Sequence, residues 1–410
     1  MSIQSQINAA LSGSTVTIAA GTYAEAFTVS KALRLVANGA VLVRPPASAW
    51  NAVSITAGDV TIEGFDIAGA RGDGIEANNV RGVTVLRCKI TGCGESGVQT
   101  NGCDLVRVEG CTLIGNARDT WCSGISLYQN RARGVTTTGF RNVIRDNICR
   151  DNITLPAGGP HTDGNGIIID DFQNNQNGST AGNYPYTTLV ENNLCTGNGG
   201  KGIQVTWSDK VTVRGNTCHG NNRDVNNDGT WRGDLSISQS KAAAVERNIV
   251  HCVRGTGRLA QNRAIDNTST TNGFNTTTWA GNVGWDAAGT PSVRTDGGNA
   301  VSGVTWVDPK LDANWLPTIT TDAGWRPAGA PPPPPPPPDP EEPTVSERLD
   351  ALKAALDAYI AEMDGAYDVL AARMAALEAR PIDPQIAVRL DAAEAAITAL
   401  IAFEDDVRNP

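Results

Sequence analysis

Aromatic residues are scarce in this chain: 6 Phe, 6 Tyr and 9 Trp in 410 residues, beside 44 Gly. With Asn-Gly, Asp-Gly and Gly-Gly steps recurring, that balance suits short strands alternating with tight turns. No apolar run reaches the roughly 18 residues of a membrane span, so a spanning helix is excluded. A cationic excess is missing too: 43 acidic residues outnumber 33 basic ones, whereas a nucleic-acid protein carries a basic face. The acidic surplus is local. From Asp339 onward there are 16 acidic and 6 basic residues, which leaves 27 of each before it. The opening Met1-Ser2-Ile3-Gln4 lacks the charged and apolar regions of a signal peptide, so synthesis in the cytoplasm is expected. Nine cysteines, an odd number in a chain with no visible signal, argue against a disulfide framework and for a packing role.

What is present is a repeat. Three ladders run along the chain: Phe65, Cys88, Cys111, Asn147, Asn193, Asn216, Asn248; then Ile67, Ile90, Leu113, Cys149, Cys195, Cys218, Val250; then Cys93, Asn116, Asn152, Asn198, Asn221. The basic step is 23 residues, as from 65 to 88 and from 193 to 216. A second strand keeps register with them at Gly74-Ile75-Glu76, Gly97-Val98-Gln99, Gly124-Ile125-Ser126, Gly166-Ile167-Ile168 and Gly202-Ile203-Gln204. Alternation turns Ile75, Val98, Ile125, Ile167 and Ile203 inward and Glu76, Gln99, Ser126, Ile168 and Gln204 outward. Like residues then stack at the strand spacing of about 4.8 Å. The predicted fold is an all-β parallel β-helix over residues 1–328. A short helix placing Ile3, Ile7 and Leu11 on one face should cap its open end.

Residues 329–343 read as a proline-rich linker, with Pro331–Pro338 a stiff polyproline spacer of about 25 Å. Residues 344–410 carry Leu349, Leu352, Leu356, Ile360 and Met363, then Ile386, Leu390, Ala393, Ile397 and Leu400, at helical steps of 3 and 4. They read as a coiled coil, with a homotrimer favoured, or as helices packed within one chain.

Insertions point to the functional face. The step from 111 to 147 is 13 residues over the basic one, and from 147 to 193 it is 23 over. The larger insertion flanks the strand ending at Asp170-Asp171, with Asp170 outward beside Tyr128 and Thr206 and with Lys201 aligned to Asn165. Asp163, Asp170 and Asp171 could supply oxygens to Ca2+. Lys201, if neutral, could abstract a proton from a uronate, and Asp170 is the second candidate catalytic residue. His161, Tyr128, Trp207, Trp231 and Arg232 are candidate sugar-binding residues. Each has a bland alternative: aspartates at turns commonly cap backbone amides, Lys201 could be a solvated turn residue, and Trp207 a packing residue. Asp170 with Glu76 or Asp209 is a possible glycosidase pair.

The N-terminal helix, followed by Ala20-Gly21-Thr22-Tyr23 and Leu33-Arg34-Leu35, resembles the opening of pectate-lyase-like right-handed β-helix proteins. Val307-Asp308-Pro309-Lys310-Leu311 resembles their closing segment. His161-Thr162-Asp163-Gly164-Asn165-Gly166 through Asp170-Asp171-Phe172, continuing to Gly199-Gly200-Lys201-Gly202, looks like β-helix proteins related to family 9 pectate lyases. That resemblance implies a calcium site of clustered aspartates and a lysine base, for which Asp163, Asp170, Asp171 and Lys201 are the matching positions. The layout of β-helix, proline spacer and oligomerising helix resembles a bacteriophage or phage-like-particle tailspike or fibre. The expected function is therefore a receptor-binding spike that binds, and in some cases cleaves, bacterial surface polysaccharide, with other particle components attached through one terminus. The alternative is a free Ca2+-dependent polysaccharide lyase.

Overall fold

The computed structural model describes residues 1–327 apart from 120, 135–138, 158–159, 228–230, 271–272 and 297, together with 392, 394–396 and 398. By contacts the chain divides into Met1–Pro334 and Pro335–Pro410. The expected proline spacer, helical pairing and trimer contacts lie outside the described residues.

Ten short strands stack into one sheet: β1 (Phe27–Val29), β2 (Val53–Ile55), β3 (Ile75–Asn78), β4 (Val98–Asn101), β5 (Ser123–Tyr128), β6 (Asn165–Asp170), β7 (Ile203–Thr206), β8 (Gly233–Ser238), β9 (Arg263–Thr268) and β10 (Val293–Thr295). Each pairs in parallel with the next. The other strands form an 18-stranded sheet. Its pairings make two parallel ladders, one through Arg81–Leu86, Asp104–Glu109 and Asn142–Arg145, the other through Lys89–Thr91, Thr112–Ile114 and Ile148–Arg150. Both ladders branch from the long strand Val60–Ala68, which is preceded in the same sheet by Arg34–Val43 and Thr15–Tyr23. The result is a three-faced parallel β-helix.

Its interior is built as the repeat requires. Ile75, Val98, Ile125, Ile167 and Ile203 are fully buried. Leu113, Cys149, Cys195, Cys218 and Val250 occupy successive register positions. All nine cysteines are free and buried, the small apolar filler expected.

Asparagine ladders replace apolar contacts at the turns. Asn193 Oδ1 accepts from the Asn147 N–H at 3.0 Å, and its amide donates to the Ile144 carbonyl and to Asn216 Oδ1. Asn116, Asn152, Asn198 and Asn221 repeat the pattern. The ladder then changes residue: the Asn221 N–H donates to Asp234 Oδ1 at 2.7 Å. Beside this ladder runs a glycine column. A Cβ on Gly166 would sit 2.6 Å from the Gly202 carbonyl oxygen, so close coil approach demands glycine there.

The ends depart from expectation in two details. The helix spans Ile3–Ala9 with Ser2 as its N-cap, and it buries Ile3 and Ile7. Leu11 lies beyond it and is 81% exposed, because the chain has already turned away from the cap. The segment after Trp306 does not simply close the far end. It runs back along the flank until the Trp325 N–H reaches Thr217 Oγ1 and the Arg326 N–H reaches Asn192 Oδ1.

Candidate functional site

The outward residues of the ten-stranded sheet form two columns. One is Glu76, Gln99, Ser126, Ile168, Gln204, Ser236, Asp266 and Arg294. The other is Asn78, Asn101, Tyr128, Asp170, Thr206, Ser238 and Thr268. Over the earlier coils they floor a groove of about 470 Å3. Later, Ser236, Asp266 and Thr268 face outward by register yet are fully buried.

The groove is acidic. Asp73, Glu76, Glu95, Asp119, Asp163 and Asp170 line it, and among its described lining residues there is no Lys or Arg. Burial raises the carboxyl of Asp73 well above the usual range, helped by Glu95 and Glu76 and opposed by the Ser96 N–H. Burial likewise raises Glu95, although the Trp50 indole N–H donates to it at 3.0 Å. Asp170 is raised well above normal by burial, then by the charges of Asp163 and Asp171. Several of these carboxyls therefore hold protons that exposed carboxyls would have lost. Such a surface donates as well as accepts hydrogen bonds.

Aromatic and amide groups complete the walls. Trp121, from the first long insertion, is 64% exposed. The Tyr128 hydroxyl accepts from Asn177 Nδ2 at 2.8 Å, and Gln176 Nε2 donates to Asp170 Oδ1 at 3.3 Å. Gln176 and Asn177 belong to the second long insertion, which is fastened at two points. Asp171 is fully buried, and both its oxygens accept protein hydrogen bonds, from the Asn175 and Gln176 N–H groups and from Gln129 Nε2. Farther along, the Tyr184 hydroxyl donates to Asp104 Oδ1 at 2.6 Å. Asp104 is also gripped by the buried Arg141, whose Nε and Nη2 lie at 2.9 and 2.6 Å from its two oxygens.

Among the predicted site residues, then, the groove brings together Asp163, Asp170 and Tyr128. Lys201 is not among its lining residues. It is 1% exposed, and its ammonium is pushed down to about 8 by burial, against the opposing pull of Asp163 and Asp266. His161 Nδ1 meets Asp224 Oδ2 at 2.5 Å, clasping one insertion to the 222–227 loop. The buried Arg232 guanidinium donates to the carbonyls of Asn222, Asp224 and Asn227, which makes it a brace for that loop. Trp231 stacks beneath Arg294, whose guanidinium carbon is 4.1 Å from the ring centroid. Trp207 is 38% exposed outside the groove lining.

The aspartate trio does not fit a calcium ion. Both Asp171 oxygens are spent on holding its loop, and among the described residues no three His, Cys, Asp or Glu side chains are grouped to hold a metal. Sequence reasoning missed Asp73, Glu95, Asp119 and Trp121. The last two lie in an insertion it had marked. The first two precede the repeated strand, in turns whose direction the alternation rule does not specify.

Residues 47–185 match a sequence-family model described as "Right handed beta helix region". No curated protein matches the chain. Among solved structures it is similar to the Azotobacter vinelandii mannuronan C-5 epimerase AlgE4 A-module (12% identity, covering 75% of this chain and 95% of that one, TM-score 0.39). It is also similar to the pectate lyase Pel9A (11% identity, 78% and 76%, TM-score 0.39) and to the Dettilon tailspike protein gp208 (12% identity, 71% and 61%, TM-score 0.34). Parallel pairing runs unbroken through the ten stacked strands, so the fold is a parallel β-helix, and residues 47–185 of it carry the family match.

Proposed function

We propose that the groove on the ten-stranded sheet binds bacterial surface polysaccharide, and that the chain is the receptor-binding spike or fibre of a phage or phage-like particle. The observation that carries the first half is the groove itself: about 470 Å3, floored by carboxyl and amide groups, with Trp121 and Tyr128 as aromatic walls. Sugar rings present hydroxyls at their edges and C–H faces above and below, and this surface offers partners for both. The second half is supported by the sequence layout, in which a proline run and helical repeats follow the β-helix. A homotrimer joined through residues 344–410 would present three grooves and gain avidity by effective concentration.

Cleavage, where it accompanies binding, falls to Asp170. Its carboxyl lines the groove and is raised by burial, which supports a role as proton donor to a glycosidic oxygen. The lyase alternative is less well supported: Lys201 is buried, and among the described residues lining the groove there is no Lys or Arg to pair with a uronate.

The test is binding of the whole protein to immobilised capsular and cell-wall polysaccharides, with ultraviolet absorbance followed for unsaturated products. Binding that is lost in Trp121→Ala or Tyr128→Ala supports the reading. Unsaturated products that disappear in Lys201→Ala would replace it with the lyase. Absence of binding to every polysaccharide would sink it.

A further inference from the structure

Beyond the groove, the outer face of the same sheet has a second hollow of opposite character. It holds about 430 Å3 and is lined by Gln261, Arg263, Val293, Arg294 and Thr295. The groove has no Lys or Arg among its described lining residues; this hollow has two arginines and no Asp or Glu. Arg294 ends the outward column in which Glu76 stands near the start, so the face runs from acidic to basic along the axis. Asp170 of the groove is on β6 and Arg294 on β10, four strand spacings or about 19 Å apart. The two hollows are therefore separate places.

The two guanidinium groups are held, but not by carboxylates. Arg294 lies over the Trp231 ring, its guanidinium carbon 4.1 Å from the centroid. That contact uses the flat face of the group and leaves its N–H edge to donate elsewhere. Arg263 Nη1 donates to the carbonyls of Ala260 and Asn262 at 3.3 and 2.8 Å, which fixes one side of its fork. Arg254, a little earlier in the chain, shows the contrast. Its guanidinium meets Asp286 at 2.6 Å, whereas neither Arg263 nor Arg294 is in an ion pair among the described residues. The carboxyl that feels them both, Asp266, is the register partner of Arg294, is fully buried, and feels Lys201 as well. One buried carboxyl set among those cations leaves this end of the face positive.

The lining says what kind of ligand fits. A guanidinium fork that is oriented and not neutralised matches a carboxylate, which can take two parallel N–H bonds from it. Gln261 and Thr295, both exposed, add an amide and a hydroxyl that donate and accept, as ring hydroxyls require. Val293 offers a small apolar contact between them. A sugar that carries a carboxylate beside its ring hydroxyls, a uronate, meets every one of these groups. A neutral sugar would leave both guanidinium groups without an anion.

We propose that the hollow at β9 and β10 is a uronate subsite, in which Arg263 and Arg294 hold the carboxylate while Gln261 and Thr295 take the ring hydroxyls. The proposal rests on the polysaccharide reading of the outer face, and it names the ligand's class: a polymer that contains acidic sugars.

The test uses the whole protein, with acidic fragments (oligogalacturonate and alginate) set against neutral ones (galactan and mannan), read by calorimetry and saturation-transfer NMR. An acidic fragment should bind, and its Kd should rise about ten- to a hundredfold in Arg294→Gln and in Arg263→Gln while staying unchanged in Trp121→Ala. Arg294→Lys keeps the charge and loses the fork, so its effect should be smaller, about two- to tenfold. Both arginines are partly exposed, so these variants should keep the wild-type melting profile; should one fold poorly, the other still decides. Acidic binding that is absent from the wild type, or equal in the wild type and both glutamine variants, would overturn the subsite. Displacement by inorganic sulfate at the same concentration would overturn the uronate class and leave a general anion site. The groove stands or falls separately. Neutral binding that is lost in Trp121→Ala keeps it even where the subsite fails. Acidic binding that needs the arginines, with no fragment sensitive to Trp121→Ala, keeps the subsite and sinks the groove.

Discussion

The most informative perturbation is Arg141→Ala, because this side chain links a buried ion pair to the wall of the groove. Arg141 and Asp104 are 1% and 0% exposed, with two donor–acceptor distances of 2.9 and 2.6 Å. Asp104 also accepts from the Tyr184 hydroxyl at 2.6 Å and the Arg133 N–H at 2.6 Å. Burial alone would raise its carboxyl, yet the bonds from Arg141, Tyr184 and Arg133 leave it lowered overall. Removing one partner of a buried pair costs about 3–5 kcal/mol, since the other charge stays behind. Here two other donors remain on the carboxylate, so about 3 kcal/mol is expected. Asp104→Ala paired with Arg141→Ala should recover part of that loss, giving a coupling of about 2 kcal/mol in a double-mutant cycle. Denaturant unfolding followed by far-ultraviolet circular dichroism measures all four corners. Tyr184 anchors the insertion that carries Gln176 and Asn177, so polysaccharide binding should weaken along with stability. A single-variant loss under about 1 kcal/mol, or strict additivity in the cycle, would refute this assignment. The sign with pH is also set. Because the folded carboxyl is lowered, its contribution is present above about pH 4 and disappears as pH falls through the lowered value.

Asp234 and Asp266 act in the opposite sense, being pushed up by burial to about 7 and about 6. Between the ordinary aspartate value and those values the folded state binds the extra protons, so stability should fall as pH climbs through that window. Asp234→Asn retains an acceptor for the Asn221 N–H and should gain about 1–3 kcal/mol at pH 8; an unchanged denaturation midpoint there would contradict it. Trp121→Ala should reduce polysaccharide affinity about fivefold or more with no change in melting temperature, as read by surface plasmon resonance. Ellman's reagent should label no thiol in the native protein and nine after denaturation, since every cysteine is buried; rapid native labelling would mean that the coils open locally. A chain ending before Asp339 should keep its single-site affinity and lose avidity on a polysaccharide-coated surface, and equal avidity would remove the oligomerising role of the tail.

Much of this architecture was legible in one dimension, because a solenoid maps sequence period directly onto space. Once like residues recur in ladders, at a basic step of 23 with insertions between, the partner of each ladder residue one coil away is known. Hence Ile167 and Ile203, Cys149 and Cys195, or Asn193 and Asn216 could be paired without coordinates, and all of them meet. The same rule put Asp170 between Tyr128 and Thr206 on the outer face. It fails inside the insertions themselves. The direction of an insertion depends on contacts made at long sequence separation, such as Tyr184 with Asp104 across 80 residues. Only those contacts decided that Gln176 and Asn177 would wall a groove and that Asp171 would be consumed in holding them. Burial was equally out of reach: Lys201, Ser236 and Asp266 look like surface residues by alternation, and each is covered by chain from elsewhere. Periodicity thus determined the fold and the facing of each side chain, through local backbone geometry repeated coil by coil. The tertiary structure alone decided which outward groups remain open to a ligand, because desolvation is set by whatever packs above them.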